Sequence, residues 1–257
     1  MNHPTHEQIV ALKRLLIPMA DDEWMMGHRG SEWLALAPDL EEDLALSSTS
    51  QDEMGHAKVL YDLLHDLGEP SADYHVYFRP ANRWHHARVT ALPKSSWAEW
   101  VVRRYFYEMF DQVRRSALER IPYPPLVGAL KKMDREEAYH ADHARSLMDI
   151  LAHGGAESYG YLREAITDDW AYLADLFEWI GPDESWASWD VGELAPSAMR
   201  TRFESQVHQD FAIWGIYWPE GVPLATRKAR HHDSSPDLPA LLDDMREVRN
   251  QAAKAHW

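Results

Sequence analysis

The sequence contains no cysteine. Disulfides, thiolate zinc sites and protein-ligated iron–sulfur clusters are therefore excluded, and any metal must be held by Asp, Glu and His. Strand signals are missing too: no stretch alternates apolar and polar residues, and no Asn-Gly dipeptide marks a hairpin. No apolar run approaches the roughly 18 residues that a membrane-spanning helix requires, so no span is expected. The first residues, MNHPTHEQIV, lack the basic stretch and apolar segment of a signal peptide, and a cytoplasmic location is the expectation. Positive charge is scarce, with 26 Lys and Arg against 42 Asp and Glu. Nucleic acids and anionic membrane surfaces reward clustered cations, so neither is expected as a partner.

Tryptophan, in contrast, is abundant. Twelve residues of it imply broad aromatic packing, within the chain or between subunits, and an oligomer is expected. A length of 257 residues suits a single domain, 1–257, whose core needs no covalent staples.

Apolar periodicity predicts an all-α chain. A first helix runs from about Thr5 to Ala35, with an interruption expected near Pro18. Asp39 followed by Glu42 resembles a capping box and opens a second helix, which ends near Leu67 ahead of Gly68 and Pro70. The next stretch, EPSADYHVYFRPANRWHHARVTALPK, has no helical period and reads as a long ordered loop. Loops of that length are uncommon and often functional. Ser96 with Glu99 caps a third helix, to about Arg120, and IPYPP breaks it because proline removes a backbone donor. A fourth helix covers about Leu126 to Ala152 and stops at Gly154–Gly155. Further helices are expected over 158–179, 197–217 and 237–255, with prolines 219, 223 and 236 marking the joint before the last. Two helical hairpins, 5–68 and 95–153, thus precede a C-terminal region, 158–257.

Within QDEMGHAKVLY, Glu53 and His56 stand three residues apart and share one helix face. One such pair arises easily on a solvated surface. The pattern recurs in DREEAYHADHARSL as Glu137 and His140, and each copy has a carboxylate upstream: Glu23 precedes Glu53 by 30 residues, and Glu108 precedes Glu137 by 29. Descending one helix for about 15 residues and climbing the next returns the chain to the same height. Each upstream Glu therefore lies level with its Glu-x-x-His partner. Two such hairpins bring four carboxylates and two imidazoles together in mid-bundle, the ligand set of di-iron and di-manganese carboxylate proteins.

Alternatives exist for several members. Glu23 follows Asp21 and Asp22, which could all be surface charge. Glu108 lies among Tyr105, Phe106, Met109 and Phe110, where a carboxylate is costly to bury unless paired or metal-bound. Glu136 also faces His140, but the repeated spacing favours Glu137; His143 reads as a neighbour of the site or as surface. Gly27 and Gly55 sit beside proposed ligands, either for close helix packing or to leave room for oxygen or substrate. Arg103, Arg104, Lys131 and Lys132 are candidates for a phosphate contact by charge alone, with a solvated face as the alternative.

These residues resemble the ferritin-like PaaA/PaaC family, subunits of the bacterial phenylacetyl-CoA 1,2-epoxidase. The likeness runs through GHRGSEWLALAPDLEEDLALSSTSQDEMGHAKVLYDLLHDLG and continues in RRYFYEMFD, REEAYH, WAYLADLF and FESQV, covering almost the whole chain. The segment EWLALAPDLEEDLAL and the length are closer to PaaC than to PaaA. The resemblance implies a ferritin-like four-helix bundle with additional C-terminal helices. It also implies a place in a multicomponent ring monooxygenase acting on phenylacetyl-CoA, with a PaaA-like catalytic partner and a reductase that supplies electrons. Some PaaC subunits have lost metal ligands and act as structural partners; this chain keeps a full set at Glu23, Glu53, His56, Glu108, Glu137 and His140. Two iron ions are the implied cofactor, manganese being compatible with the same ligands. The competing readings are a non-catalytic scaffold for the catalytic PaaA-like partner and a ferritin-type iron oxidase, which the aromatic loop and extra helices fit poorly. For the loop from Glu69 to Lys94, a place at a subunit interface through Tyr74, Tyr77, Phe78 and Trp84 is expected, with no metal ligation by His75, His85 or His86. The alternative is that these aromatics cap the chain's own core.

Overall fold

The computed structural model describes residues 4–180, 189, 192–219 and 238–251. Among these residues the structure is all-helical, as the periodicity predicts. Helix α1 spans His6–Ser31, α2 Leu40–Asp66, α3 Arg88–Ala91, α4 Trp97–Leu118, α5 Pro124–His153, α6 Ala156–Trp170, α7 Pro196–Trp214 and α8 Leu238–Gln251.

Local chemistry sets the ends. Thr5 closes a reciprocal capping box with Gln8 at the start of α1, whereas Asp39 and Ser96 each accept one backbone N–H, from Glu42 and Glu99. The Glu99 carboxylate turns to the Ser95 hydroxyl instead. Gly68 ends α2 with φ +90°, and Gly215 ends α7 with φ +66°, short of the expected residue 217. Pro18 does not interrupt α1: Leu15, Leu16 and Met19 are fully buried around it, and this packing outweighs the lost hydrogen bond. The expected helix 158–179 is split, since α6 stops at Trp170 and a 3₁₀ turn, Ala174–Phe177, follows. That turn buries Leu176 and Phe177 and places Asp175 to accept the Arg88 N–H. The joint expected at Pro223 and Pro236 lies outside the described residues, as does the end of the last helix.

Helix α1 packs along α2, α4 packs along α5, and the two hairpins meet through α2 and α5. Helices α6 and α7 cover the other side of α4. Helix α4 is therefore buried nearly all round, including Arg103, Arg104, Glu108, Asp111 and Arg114. A continuous apolar core runs from α1 to α7, with Tyr105, Phe106, Phe110, Phe203 and Phe211 at its centre. No described helix is long and apolar enough to cross a membrane.

The segment between α2 and α4 is more ordered than a loop. It holds a π-helical turn, Tyr74–Phe78, a 3₁₀ turn, Ala81–Arg83, and α3. It reaches down to α1, where Asp21 and Asp22 fasten it. Asp21 accepts hydrogen bonds from Arg79 at 2.5 Å, Tyr61 at 2.7 Å and the His85 N–H at 2.6 Å, and Asp22 accepts from the Ala87 N–H at 2.6 Å. Both aspartates are fully buried, which corrects their reading as surface charge. The aromatics of this segment divide: Trp84 is buried at 2 % exposure, under α8, while Tyr74 and Phe78 are 44 % and 51 % exposed. His75 is buried and stacks on Tyr61 at 5.0 Å.

Candidate metal centre

The four long helices bring all six expected ligands together. Glu23 comes from α1, Glu53 and His56 from α2, Glu108 from α4, and Glu137 and His140 from α5, and every one is buried. Their donor atoms form two groups: Glu23, Glu53, His56 and Glu137, and Glu53, Glu108 and His140, with the atoms of each group within 4.8 Å of one another. Glu53 belongs to both, the placement of a bridging carboxylate.

Two acids that spacing did not single out complete the arrangement. His56 Nε2 lies 2.8 Å from Glu136 Oε2, and His140 Nε2 lies 3.3 Å from Asp52 Oδ2. Each acid directly precedes a ligand glutamate on one helix and reaches the histidine of the other. A carboxylate on the outer ring nitrogen fixes the ring and raises its basicity toward a metal. Glu136 therefore supports His56 and is half-exposed, while Glu137 is buried and contacts His56 Nδ1 at 2.8 Å. His143 pairs with Glu42 on the outer side and is no part of either group.

Two arginines enter the same interior. Arg114 donates to Asp111, to Asp22 at 3.1 Å, to Glu23 at 3.0 Å and to Tyr107 at 3.1 Å. Arg104 Nη2 lies 2.9 Å from Glu53 Oε1 and 2.8 Å from Glu108 Oε1. Neither Arg104 nor Arg103 faces solvent, which corrects both of their readings, as a phosphate contact and as solvated charge. Arg103 instead donates to the Leu92 and Pro93 carbonyls.

Protonation follows this crowding. Burial and the neighbouring Glu53 push Glu23 well above the usual carboxylate range, and burial with the other carboxylates does the same for Glu108. Burial also raises Glu137, with Asp111 adding to it. Burial alone would raise Glu53, but its hydrogen bond with Glu23 and the positive charge of Arg104 and His140 hold it well below. His56 is pushed to about 9: burial opposes the charge, and Glu137, Glu53 and Glu136 overcome it.

The donor set fits a metal. Glu23 Oε2, Glu53 Oε2, His56 Nδ1, Glu108 Oε1 and His140 Nδ1 are buried without a well-directed hydrogen-bond partner among the described residues. Five of the six expected ligands thus have an inner atom with no well-directed hydrogen bond, though His56 Nδ1 and Glu108 Oε1 keep ionic neighbours in Glu137 and Arg104. Buried polar atoms are rarely left so, and an ion would satisfy them. The two glycines separate in role. A Cβ on Gly27 would lie 2.8 Å from the Ser50 carbonyl, so Gly27 lets α1 and α2 pack closely. A Cβ on Gly55, or on Gly128 of α5, meets nothing. Both line a groove of about 700 Å³ between α2 and α5, which also exposes Asp52, His56, Met133, Glu136 and Lys132.

The model of the PaaA/PaaC family, phenylacetic acid catabolic protein, matches residues 1–257. The chain belongs to that family. It is 25 % identical over 190 residues to the C component of the 1,2-phenylacetyl-CoA epoxidase of Escherichia coli K12, covering 74 % of this chain and 76 % of that one. It is also 25 % identical over 196 residues to the A component of the same epoxidase, covering 73 % of this chain and 62 % of the relative. The A component is thus spanned for less than two thirds of its length. Membership agrees with the all-α fold and with the resemblance carried by the segments around Glu53 and Glu137.

Proposed function

We propose that the chain is a metal-binding subunit of a phenylacetyl-CoA epoxidase, working in phenylacetate catabolism beside a reductase and a PaaA-like partner. The observation that carries the metal is the convergence of four buried carboxylates and two buried imidazoles from four helices, their donor atoms in two groups each within 4.8 Å. Family membership and the two epoxidase relatives support the reaction class. Two ions would be held by Glu23, Glu53, His56, Glu108, Glu137 and His140, with iron favoured by the oxygen chemistry and manganese accepted by the same donors. Bound iron would supply oxygen activation; the chain supplies everything around it. Asp52 and Glu136 hold the two imidazoles in register. The apolar faces of α4 and α5 exclude water. The α2–α5 groove, with Gly55 and Gly128 leaving it open and Lys132 as the cation among its lining residues, gives the aromatic end of a thioester a route to His56. Without cysteine the chain holds no iron–sulfur relay, so electrons come from the separate reductase.

A non-catalytic role has one observation in its favour: Arg104 spans two of the ligand carboxylates, as a structural ion pair would. Elemental analysis of the purified chain, alone and with its PaaA-like partner, separates the readings. Stoichiometric iron or manganese supports the metal centre. Metal found only when the partner is present, and assignable to that partner, supports the scaffold.

A further inference from the structure

The two arginines of the interior are held differently. Arg114 is anchored: its donors reach Asp111, Asp22, Glu23 and Tyr107, and the two aspartates, which are outside the ligand set, more than offset its charge. Arg104 uses one nitrogen, Nη2, and its Nε and Nη1 are buried without a partner. Among the described residues its anionic contacts are Glu53 and Glu108, two of the three residues of the second ligand group. A guanidinium tied only to those carboxylates competes with a cation for them.

We propose that Arg104 holds the place of the second metal ion. The first divalent ion enters at Glu23, Glu53, His56 and Glu137. A second, at Glu53, Glu108 and His140, binds only as the guanidinium leaves Glu53 and Glu108. This rests on the metal-centre reading above. Charge supports the order of filling. The second ion needs both carboxylates that Arg104 holds, Glu53 and Glu108, so it meets the guanidinium's positive charge directly. The first ion shares only Glu53 with it. Geometry agrees, because Arg104 contacts neither Glu23 nor Glu137, the two carboxylates reserved to the first group.

The test is titration of the full-length chain with Mn²⁺, counting free ion by electron paramagnetic resonance and heats by calorimetry. The wild type is expected to take one ion tightly and a second at least about tenfold more weakly, since a buried like charge a few ångströms away opposes it. Arg104→Gln should bring the second affinity to within about tenfold of the first and yield the signal of a coupled manganese pair. Arg104→Lys keeps the charge and should behave as wild type. Glu108→Gln should leave the first affinity unchanged and remove the second. Two equal affinities in the wild type, or loss of the first ion in Glu108→Gln, would overturn the proposal even if Arg104→Gln fails to fold. A second affinity unmoved by a folded Arg104→Gln would do the same. Absence of any binding in the wild type sinks the metal centre itself and Arg104's role with it, a result distinct from two ions binding independently of Arg104.

Discussion

Glu136 on α5 reaches across to α2 and sets its Oε2 2.8 Å from the outer nitrogen of His56, leaving Nδ1 turned toward Glu137. Asp52 repeats the relationship in reverse, from α2 to His140 on α5. Partners of this kind contribute about 10–100-fold to metal affinity elsewhere. Glu136→Gln should therefore weaken binding of the first ion within that range while leaving thermal unfolding nearly unchanged, because Glu136 is half-exposed. Mn²⁺ affinity equal to wild type would show that His56 needs no outer support.

The glycines flanking Glu53 make opposite predictions. Gly27→Ala drives a methyl to 2.8 Å from the Ser50 carbonyl, and overpacking of this kind costs about 1–3 kcal/mol. Gly55→Ala places its methyl in open space on a helix and should stabilise by about 0.5–1 kcal/mol. Urea denaturation of the two variants measures both. If both destabilise, the groove beside Gly55 is closed in solution; if both stabilise, α1 and α2 are not closely packed at Gly27.

Much of this site was legible because it rests on local geometry. The 3.6-residue period places Glu53 with His56 and Glu137 with His140, and equal hairpin arms bring Glu23 and Glu108 to their level. Asp21 and Asp22 were not legible. Adjacent aspartates look like surface charge until Arg79 and the His85 N–H, 58 and 64 residues away, are known to reach Asp21. The turns of the segment after α2 escaped for a related reason: they are shaped by those long-range bonds and carry no period of their own. A signal for Asp52 and Glu136 did exist, since an acid directly precedes the glutamate in both Glu-x-x-His motifs. Arg104 offered a weaker one, its four-residue spacing to Glu108 on a single helix face.

The Asp21–Arg79 pair should behave as a fastening for the segment from Glu69 to Lys94. Arg79→Ala leaves Asp21 buried without its cation, and breaking one side of such a pair costs about 3–5 kcal/mol. Hydrogen exchange should show faster exchange of the His85 and Ala87 amides, which donate to Asp21 and Asp22. Unchanged protection there would mean that the segment is held by its apolar contacts alone. On adding a PaaA-like partner, protection should grow around Tyr74 and Phe78, the exposed aromatics of this segment, if it forms the proposed interface. No gain at either residue would remove it from the interface.

His75 sets a pH dependence. Burial, with Arg79 adding to it, lowers its pKa to about 4, while an unfolded histidine titrates near 6.5. Above about pH 6.5 both states are neutral and the residue contributes no slope. Between about 6.5 and 4 the unfolded chain takes up a proton that the native chain refuses, so stability falls as pH falls through that window. His75→Phe keeps a ring to stack on Tyr61 and removes the titration. The stability difference between about pH 7 and pH 5, by chemical denaturation, should be smaller in this variant than in wild type. An identical difference would show that His75 is protonated in the fold.

Glu53 belongs to both ligand groups, so comparing the metal content of wild type and Glu53→Ala decides whether the bundle holds a metal centre. Bound iron or manganese is expected in the purified wild type and none in the variant. Far-UV circular dichroism of the variant should stay helical, since the apolar core from α1 to α7 is untouched. Equal metal in both proteins would contradict the site, and so would a wild type that holds no metal after incubation with either ion.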